Sequence, residues 1–405
     1  MTEDSISDKN LQRYKIDLQR CNMQSYRKDM LKRAKKSFPT LNDVAAYAGV
    51  SPKTVSNVVN NNQNVAEPTR IKVREAITAV GYRPSALARS LVTGQTKTIG
   101  VMIPDVSNPF FGQSILGCEK ILNASGYSVV LCDTEEDFDK ERRYLATLME
   151  KGADGLILWG GQMGSEELVG LTSGRVPMIA VDTAIEELAE NTTIVRVENE
   201  RGARAAVRHL LQAGRKRIGH ISGPLQRATA RRRSSGYQSA LGEAGIAFDP
   251  CLLVETAPSI RAGYRAALRL LESRQLDAVF CYNDLIAIGA VVACNHLGIS
   301  IPDDLALVGF DDITIAALIT PSLTTVRIAQ YELGKLAATL LLERLESRDV
   351  AGSSVDFPVS LQIRNSCGTK NLSHDDMRTI LDTIASSEAV DLPVDFPAEC
   401  KEHVT

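Results

Sequence analysis

The chain has 405 residues, 44% of them hydrophobic and 23% charged, enough to bury sizeable cores in two or three globular domains and too much for a disordered polymer. No apolar run of about 18 residues is present and the opening MTEDSISDKNLQRYK is polar, which excludes a membrane span and a secretory leader and points to the cytoplasm. The net charge of −3 conceals an asymmetry: residues 1–97 carry 17 Lys+Arg against 8 Asp+Glu, which leaves +9 on this end and −12 on the rest, so the amino-terminal end is steered toward polyphosphate.

Residues 1–37 hold 10 Lys+Arg and 5 Asp+Glu and read as a basic, disordered extension, either a non-specific nucleic-acid arm or a product of an early start codon. From residue 40 the signals become local and strong. Thr40 caps a helix with Asp43 completing a capping box, Val44, Ala45 and Ala48 give its apolar face, and Gly49 ends it. After the buried turn residue Val50, Ser51 and Pro52 supply an N-cap and a first helical position. On this second helix Val55, Val58 and Val59 form one stripe. Pro52, Lys53, Thr54, Ser56, Asn57 and Asn60 make the other face small and hydrogen-bonding, as a helix reading base edges in a major groove requires. Pro68, the apolar positions Ile71, Ala76, Ile77 and Val80, and Gly81 mark a third helix. Arg83-Pro84 breaks the chain, and SALARSL (85–91) is a helix too short to be stable unless something packs on it. Residues 92–96 form a flexible joint.

From residue 98 short apolar strands alternate with amphipathic helices: strands in 98–104, 127–133, 153–160 and 176–182, with helices in 110–126 and in EDFDKERRYLATLMEKG. A second round follows with helix 202–214, strand RIGHISG, helices SSGYQSALGEAG and AGYRAALRLLES, strand LDAVFCYND, helix LIAIGAVVACNHLG and strand LALVGFDD. This pattern predicts an α/β architecture, an all-α helix-turn-helix headpiece followed by two doubly wound parallel-sheet lobes, with ligand sites at strand C-terminal ends in the crevice between lobes. AQYELGKLAATLLLERLES is a further helix and VDFPVSLQIRNSCG a further strand. Residues 369–405, with 3 Lys+Arg and 8 Asp+Glu, read as a short docked helix and an acidic end without a leucine heptad. Eight scattered cysteines without C-x-x-C or a Cys/His cluster suggest neither disulfides nor zinc, and no cofactor or metal is expected.

Four strand ends carry polar residues out of character with their strands. In residues 104–111, Asp105, Ser107 or Asn108 can hydrogen-bond while Phe110 and Phe111 offer an apolar platform. GPLQRATARRR (223–233), Tyr282-Asn283-Asp284 and Phe310-Asp311-Asp312 follow later strands, and all four should face one cleft. A guanidinium and a carboxylate there can grip neighbouring hydroxyls or ring nitrogens from opposite sides. Arg231 and Arg232 read rather as a solvated charge run, and Asp284 and Asp311 have helix-capping as their structural alternative.

DVAAYAGVSPKTVSNVVN, VAEPTR and GYRPSALARSL together resemble the headpiece and hinge of the lactose/galactose/purine-repressor (LacI/GalR) family of bacterial transcription regulators. The resemblance implies a headpiece at 38–83, a hinge helix and linker at 84–97, and a periplasmic-binding-protein-like effector domain at 98–368. Lobe 1 would take about 98–198 and 328–357, and lobe 2 about 199–327 and 358–368. It implies a homodimeric repressor that reads pseudo-palindromic operator DNA through Thr40, Ser51, Pro52, Lys53, Thr54, Ser56, Asn57 and Asn60. The hinge residues Ala88, Arg89 and Leu91 would enter the minor groove, with Leu91 wedged between base pairs. The effector would meet Asn108, Phe110, Phe111, Arg227, Thr229, Arg233, Asn283, Asp284 and Asp311. Arg227 and Thr229 occupy positions that contact ligand in purine-binding members, but an aromatic expected near ETAPSIRAGY is replaced by Pro258, so a sugar is favoured over a purine. The rival of an exported sugar-binding protein lacks a leader. An enzyme is not expected, because no G-x-G-x-x-G follows a strand, no P-loop exists, and five histidines offer no Ser/His/Asp set.

Overall fold

The computed structural model describes residues 39–60, 62, 64–83, 90, 94–172, 174, 176–185, 191–272, 275–346 and 352–368. Expectations for residues 1–37, Ala88, Arg89, Leu91 and 369–405 lie outside the described residues. The chain divides into two units, Met1–Gly94 and Gln95–Thr405.

The first unit is three helices, α1 (Leu41–Ala48), α2 (Pro52–Val59) and α3 (Glu67–Val80). Thr40 and Asp43 form the expected capping box, and Gly49 and Gly81 close α1 and α3 in the left-handed region at φ 60° and 69°, where glycine carries no Cβ penalty. Val44, Ala45, Ala48, Val55, Val58, Val73 and Ala76 meet in a small core. One expectation fails here: Ile71 is exposed, and Val73 takes the inward position on α3. Val73 and Ala76 stand i, i+3 apart on one face.

The second unit holds two sheets of the same winding. Sheet one contains β1 (Thr98–Ile103), β2 (Ser128–Asp133), β3 (Gly155–Trp159), β4 (Met178–Val181), β5 (Thr192–Val197) and β11 (Ser353–Phe357), ordered β11-β5-β4-β3-β1-β2. Sheet two contains β6 (Ile218–Ser222), β7 (Leu253–Glu255), β8 (Ala278–Cys281), β9 (Ala306–Asp311), β10 (Thr324–Arg327) and β12 (Ser360–Gln362), ordered β12-β10-β9-β8-β6-β7. Every pairing is parallel except β10 with β12. Both faces of a parallel sheet are covered. In sheet one alternate residues therefore feed two cores: Ile99, Val101, Ile157 and Trp159 pack on one side, Met102, Leu156 and Leu158 on the other.

The lobes also share a latch. Asp154 accepts the Thr96 and Lys97 backbone N–H groups at 2.9 and 2.8 Å, and Asp277 accepts those of Lys216 and Arg217 at 2.7 and 2.9 Å. Each carboxylate thus ties the start of the lobe's first strand to the start of its third.

Helices cover the sheets: α4 (Pro109–Ala124), α5 (Phe138–Glu150), α6 (Ser165–Thr172) and α12 (Gln330–Glu346) in lobe 1, and α7 (Asn199–Gln212), α8 (Ala228–Glu243), α9 (Ile260–Glu272), α10 (Asp284–Leu297) and the short α11 (Thr314–Leu318) in lobe 2. Glycines set the closest crossing, α4 on α12. A Cβ on Gly117 would overlap the Tyr331 carbonyl, and one on Gly334 the Ser114 carbonyl. The single strand expected over VDFPVSLQIRNSCG is two. β11 ends sheet one, Pro358 interrupts the run, and β12 begins in sheet two, because proline lacks the N–H a continuing ladder needs. β5, β7, β10, α6 and α11 were not foreseen. Among the described residues no helix is long and apolar enough to cross a membrane.

Candidate nucleic-acid interface and ligand cleft

On α2 the Ser51 hydroxyl accepts the Thr54 N–H at 3.1 Å and pairs with the Thr54 hydroxyl at 2.8 Å, fixing the helix start. Val55 and Val58 are buried, Ser51, Pro52, Lys53 and Asn60 are exposed, and Thr54, Ser56 and Asn57 are half-buried. The expected polar face is therefore the accessible one, with a helix N-terminus open to an anion. Thr40 is exposed, but its hydroxyl donates to Asp43 at 2.8 Å and accepts the Asp43 N–H, so its first role is to cap α1.

In the second unit the C-terminal ends of both sheets surround a cleft of about 610 Å³ including its open mouth. Asn108, Phe110, Phe111, Arg227, Thr229, Arg233, Asn283 and Asp311 all line it. Asn108 caps α4 by accepting the Phe110 N–H at 3.0 Å, and the Phe110 and Phe111 rings stand edge to face, 5.1 Å apart. Arg233 is the hub of the floor. It donates to the Asp311 carboxylate at 3.2 Å, the Tyr282 carbonyl at 2.6 Å and the Asn199 amide oxygen at 2.7 Å, with its guanidinium 3.7 Å from the Phe310 ring centre. Burial pushes the Asp311 carboxyl up to about 6 against the pull of Arg233.

Asp284 does not belong to the cleft. It is fully buried, accepting the Ile313 N–H at 2.8 Å and the Thr325 hydroxyl at 2.5 Å, so it fastens β10 and the turn after β9. Asn283 beside it both lines the cleft and caps α10, accepting the Ile286 N–H at 3.0 Å. A second correction concerns Arg232, which is no solvated charge. α8 starts at Ala228, earlier than expected, and this turns Arg232 onto Asp182 of lobe 1 at 3.2 Å. Arg231 is exposed and donates to the Leu225 and Gln226 carbonyls.

The lobes are joined across the cleft by two ion pairs and an amide. Besides Arg232–Asp182, Arg227 of lobe 2 meets Glu136 of lobe 1 at 3.1 Å, and the Asn199 amide donates to both Asp182 oxygens at 2.9 and 2.7 Å. Burial raises the Asp182 and Glu136 carboxyls, opposed by the facing amide and arginines. Glu136, Asp182 and Asp311 sit at positive φ of 63°, 54° and 106°, a strained conformation costing roughly 1–3 kcal/mol each and characteristic of ligand clamps.

Beneath the floor, His220 lies between the Phe280 carbonyl and the Ser234 hydroxyl, each 3.0 Å away, and stacks on Phe280. Burial lowers its pKa from 6.5 to about 4. Between those values the unfolded chain binds a proton that the folded chain refuses, so the stability carried by this neutral ring is whole above pH 6.5 and drains as pH falls toward 4. The shift corresponds to on the order of 3 kcal/mol. Urea midpoints of wild type and His220→Gln should therefore converge as pH is lowered from 7 to 4.5. A constant gap would show that the ring is not held neutral.

Residues 40–85 match the bacterial regulatory proteins of the lacI family, and residues 178–367 match a periplasmic binding protein-like domain. Over 332 residues the chain is 36% identical to the HTH-type transcriptional repressor PurR of Haemophilus influenzae, covering 81% of this chain and 98% of that protein. The chain belongs to the LacI family. This LacI-family chain is also 36% identical over 326 residues to the ribose operon repressor of Halalkalibacterium halodurans, covering 80% of this chain and 96% of the relative. It aligns with the structure of the Lac repressor dimer bound to operator and the anti-inducer ONPF at a TM-score of 0.74 and 28% identity, over 82% of this chain and 99% of that one. It is a DNA-binding transcriptional repressor with an effector-binding domain, and not an enzyme.

In lobe 1 of this LacI-family cleft, sequence reasoning found Asn108, Phe110 and Phe111 but missed Glu136, Trp159 and Asp182. A signal for Asp182 existed. β4 and β9 hold the same place in the two sheets, and both run into an aspartate, VPMIAVD and LALVGFD.

Proposed function

We propose that this chain acts as a homodimeric, sugar-responsive repressor. The observation that carries the reading is one polypeptide holding both an exposed, polar, proline-started helix with a two-valine anchor and a two-lobed cleft whose hydrogen-bonding groups converge from seven strand ends. Thr54, Ser56, Asn57 and Asn60 face base edges, while Thr40, Ser51, Lys53 and the N–H groups opening α2 hold phosphates. Residues 84–97 form the hinge, and Ala88, Arg89 and Leu91 enter the minor groove. α4 and the neighbouring edge strand β2, with Leu116, Val130 and Leu131 exposed, offer the dimer face, whose two-fold axis matches paired half-sites.

A sugar is favoured because the cleft is rich in carboxylate acceptors suited to hydroxyl donors, and because Pro258 lines the wall where a ring binder would use a second aromatic. The ribose operon repressor among the relatives supports this. Linkage is reciprocal: a sugar that loosens operator binding must itself bind the DNA complex more weakly.

Genomic footprinting of the purified protein supplies the operator, and fluorescence anisotropy then measures its affinity across salt and sugar concentrations. Lys53→Ala should weaken binding to operator and to unrelated duplex alike and lower the salt slope by about 1. No preference for any duplex sequence at moderate salt would overturn the reading, and a loss confined to operator would move Lys53 from phosphate to base contact.

A further inference from the structure

Trp159, at the end of β3, is 4% exposed, and among the described residues its Nε1 is the one buried side-chain nitrogen or oxygen without a hydrogen-bond partner. The contrast with its neighbours is sharp: His220, Asn199, Asp284 and Arg233 are all satisfied at comparable burial. A buried, unmet N–H costs about 1–3 kcal/mol. That cost is recovered when an acceptor arrives from the cavity.

Trp159 lines two adjoining spaces. One is the cleft, and the other a narrow side chamber walled by Glu136, Glu141, Gln162 and Arg227, with room for little more than a water molecule. The chamber is built rather than accidental. Glu141 is buried and accepts the Gln162 N–H at 3.1 Å, and a Cβ on Gly161 would collide with its carboxylate, so the loop after β3 is fastened around the opening. Arg227, Arg232 and Arg233 each already hold a carboxylate, at 3.1, 3.2 and 3.2 Å. A phosphate entering here would have to break one of these pairs and face the displaced anion.

We propose that Trp159 is a specificity residue of the effector site, donating its indole N–H to an uncharged hydroxyl or ring oxygen of a carbohydrate seated in the cleft, and that phosphorylated sugars are excluded. This rests on the sugar-responsive reading above and adds to it the position of one contact and the charge of the ligand.

Trp159 is the chain's single tryptophan, so tryptophan emission of the full-length protein reports on this part of the cleft alone. D-ribose, D-glucose, cellobiose, D-ribose 5-phosphate, D-glucose 6-phosphate and hypoxanthine are each titrated while emission and operator affinity are followed. A neutral sugar that alters operator affinity should shift the emission in parallel and bind at least tenfold tighter than its phosphate ester. Trp159→Phe should weaken that sugar about tenfold by calorimetry, the worth of one hydrogen bond. Its melting temperature should be unchanged or raised, because an unmet donor is removed, whereas a purely structural tryptophan would show the opposite pattern.

The proposal is overturned if the active probe leaves emission unchanged, if a phosphate ester or hypoxanthine proves the tighter ligand, or if Trp159→Phe binds the sugar as well as wild type. If no sugar alters operator affinity, or hypoxanthine alone does, the sugar-responsive reading itself fails, and this inference with it. Outcomes in which a sugar acts but bypasses Trp159 overturn the inference alone.

Discussion

Arg233→Ala is expected to lose about 3–5 kcal/mol of folding stability, the usual consequence of leaving a buried charge without its partner, and to stop answering any effector. The arginine is about 5% exposed at its side chain and serves three acceptors at once. Without it Asp311 keeps its place in a low-dielectric pocket with no cation. Asn199, which orients Asp182 across the cleft, loses the donor that holds it. Arg233→Lys keeps a charge but not the planar fork, so it should recover part of the stability and little of the response. Urea unfolding followed by operator titrations with and without sugar reads both effects. Unfolding of Arg233→Ala at the wild-type urea concentration would show that the floor is not held by this guanidinium.

Gly334→Ala should be nearly as damaging, although it lies on a helix and alanine is the better helix former. Its added methyl would overlap the Ser114 carbonyl of α4. Neither helix backbone can yield without moving the other. Overpacking of this kind costs typically 1–3 kcal/mol and occasionally more. The displacement would also reach the ligand, since the first turn of α4 carries Phe110 and Phe111 and is capped by Asn108. A fall in melting temperature together with weakened effector binding is the expected pair. Altered stability with wild-type effector affinity would show that α4 can shift without disturbing its first turn.

Much of the architecture was legible because local chemistry and tertiary structure agree. In the headpiece, Thr40 with Asp43, Gly49, Ser51-Pro52 and Gly81 each do in the fold what their residue types favour in isolation. The strands that escaped notice are short or polar. TTIVRV carries two threonines and an arginine, and β7 and β10 have three and four residues, so only their place beside longer strands makes them strands. The division of VDFPVSLQ between two sheets is likewise decided by partners distant in sequence. At the cleft, polar residues interrupting apolar strands in lobe 2 stood out, whereas Glu136 lies in an acidic stretch and Trp159 reads as core. Asp284 misled because it sits beside a lining residue yet points inward to Thr325 and Ile313. The reach of Arg232 to Asp182 depends on where α8 begins, a boundary that helix periodicity leaves loose by a few residues.

Because β11 completes the first sheet only after nearly all of the second has been encoded, synthesis and assembly are out of step. On the ribosome, β5 emerges with one edge bare and waits on the order of ten seconds for its last neighbour at ordinary elongation rates, in the state most open to wrong pairing. The headpiece, finished by residue 82, has no such wait. A nascent copy therefore possesses a complete three-helix reader long before it possesses the apparatus that governs it.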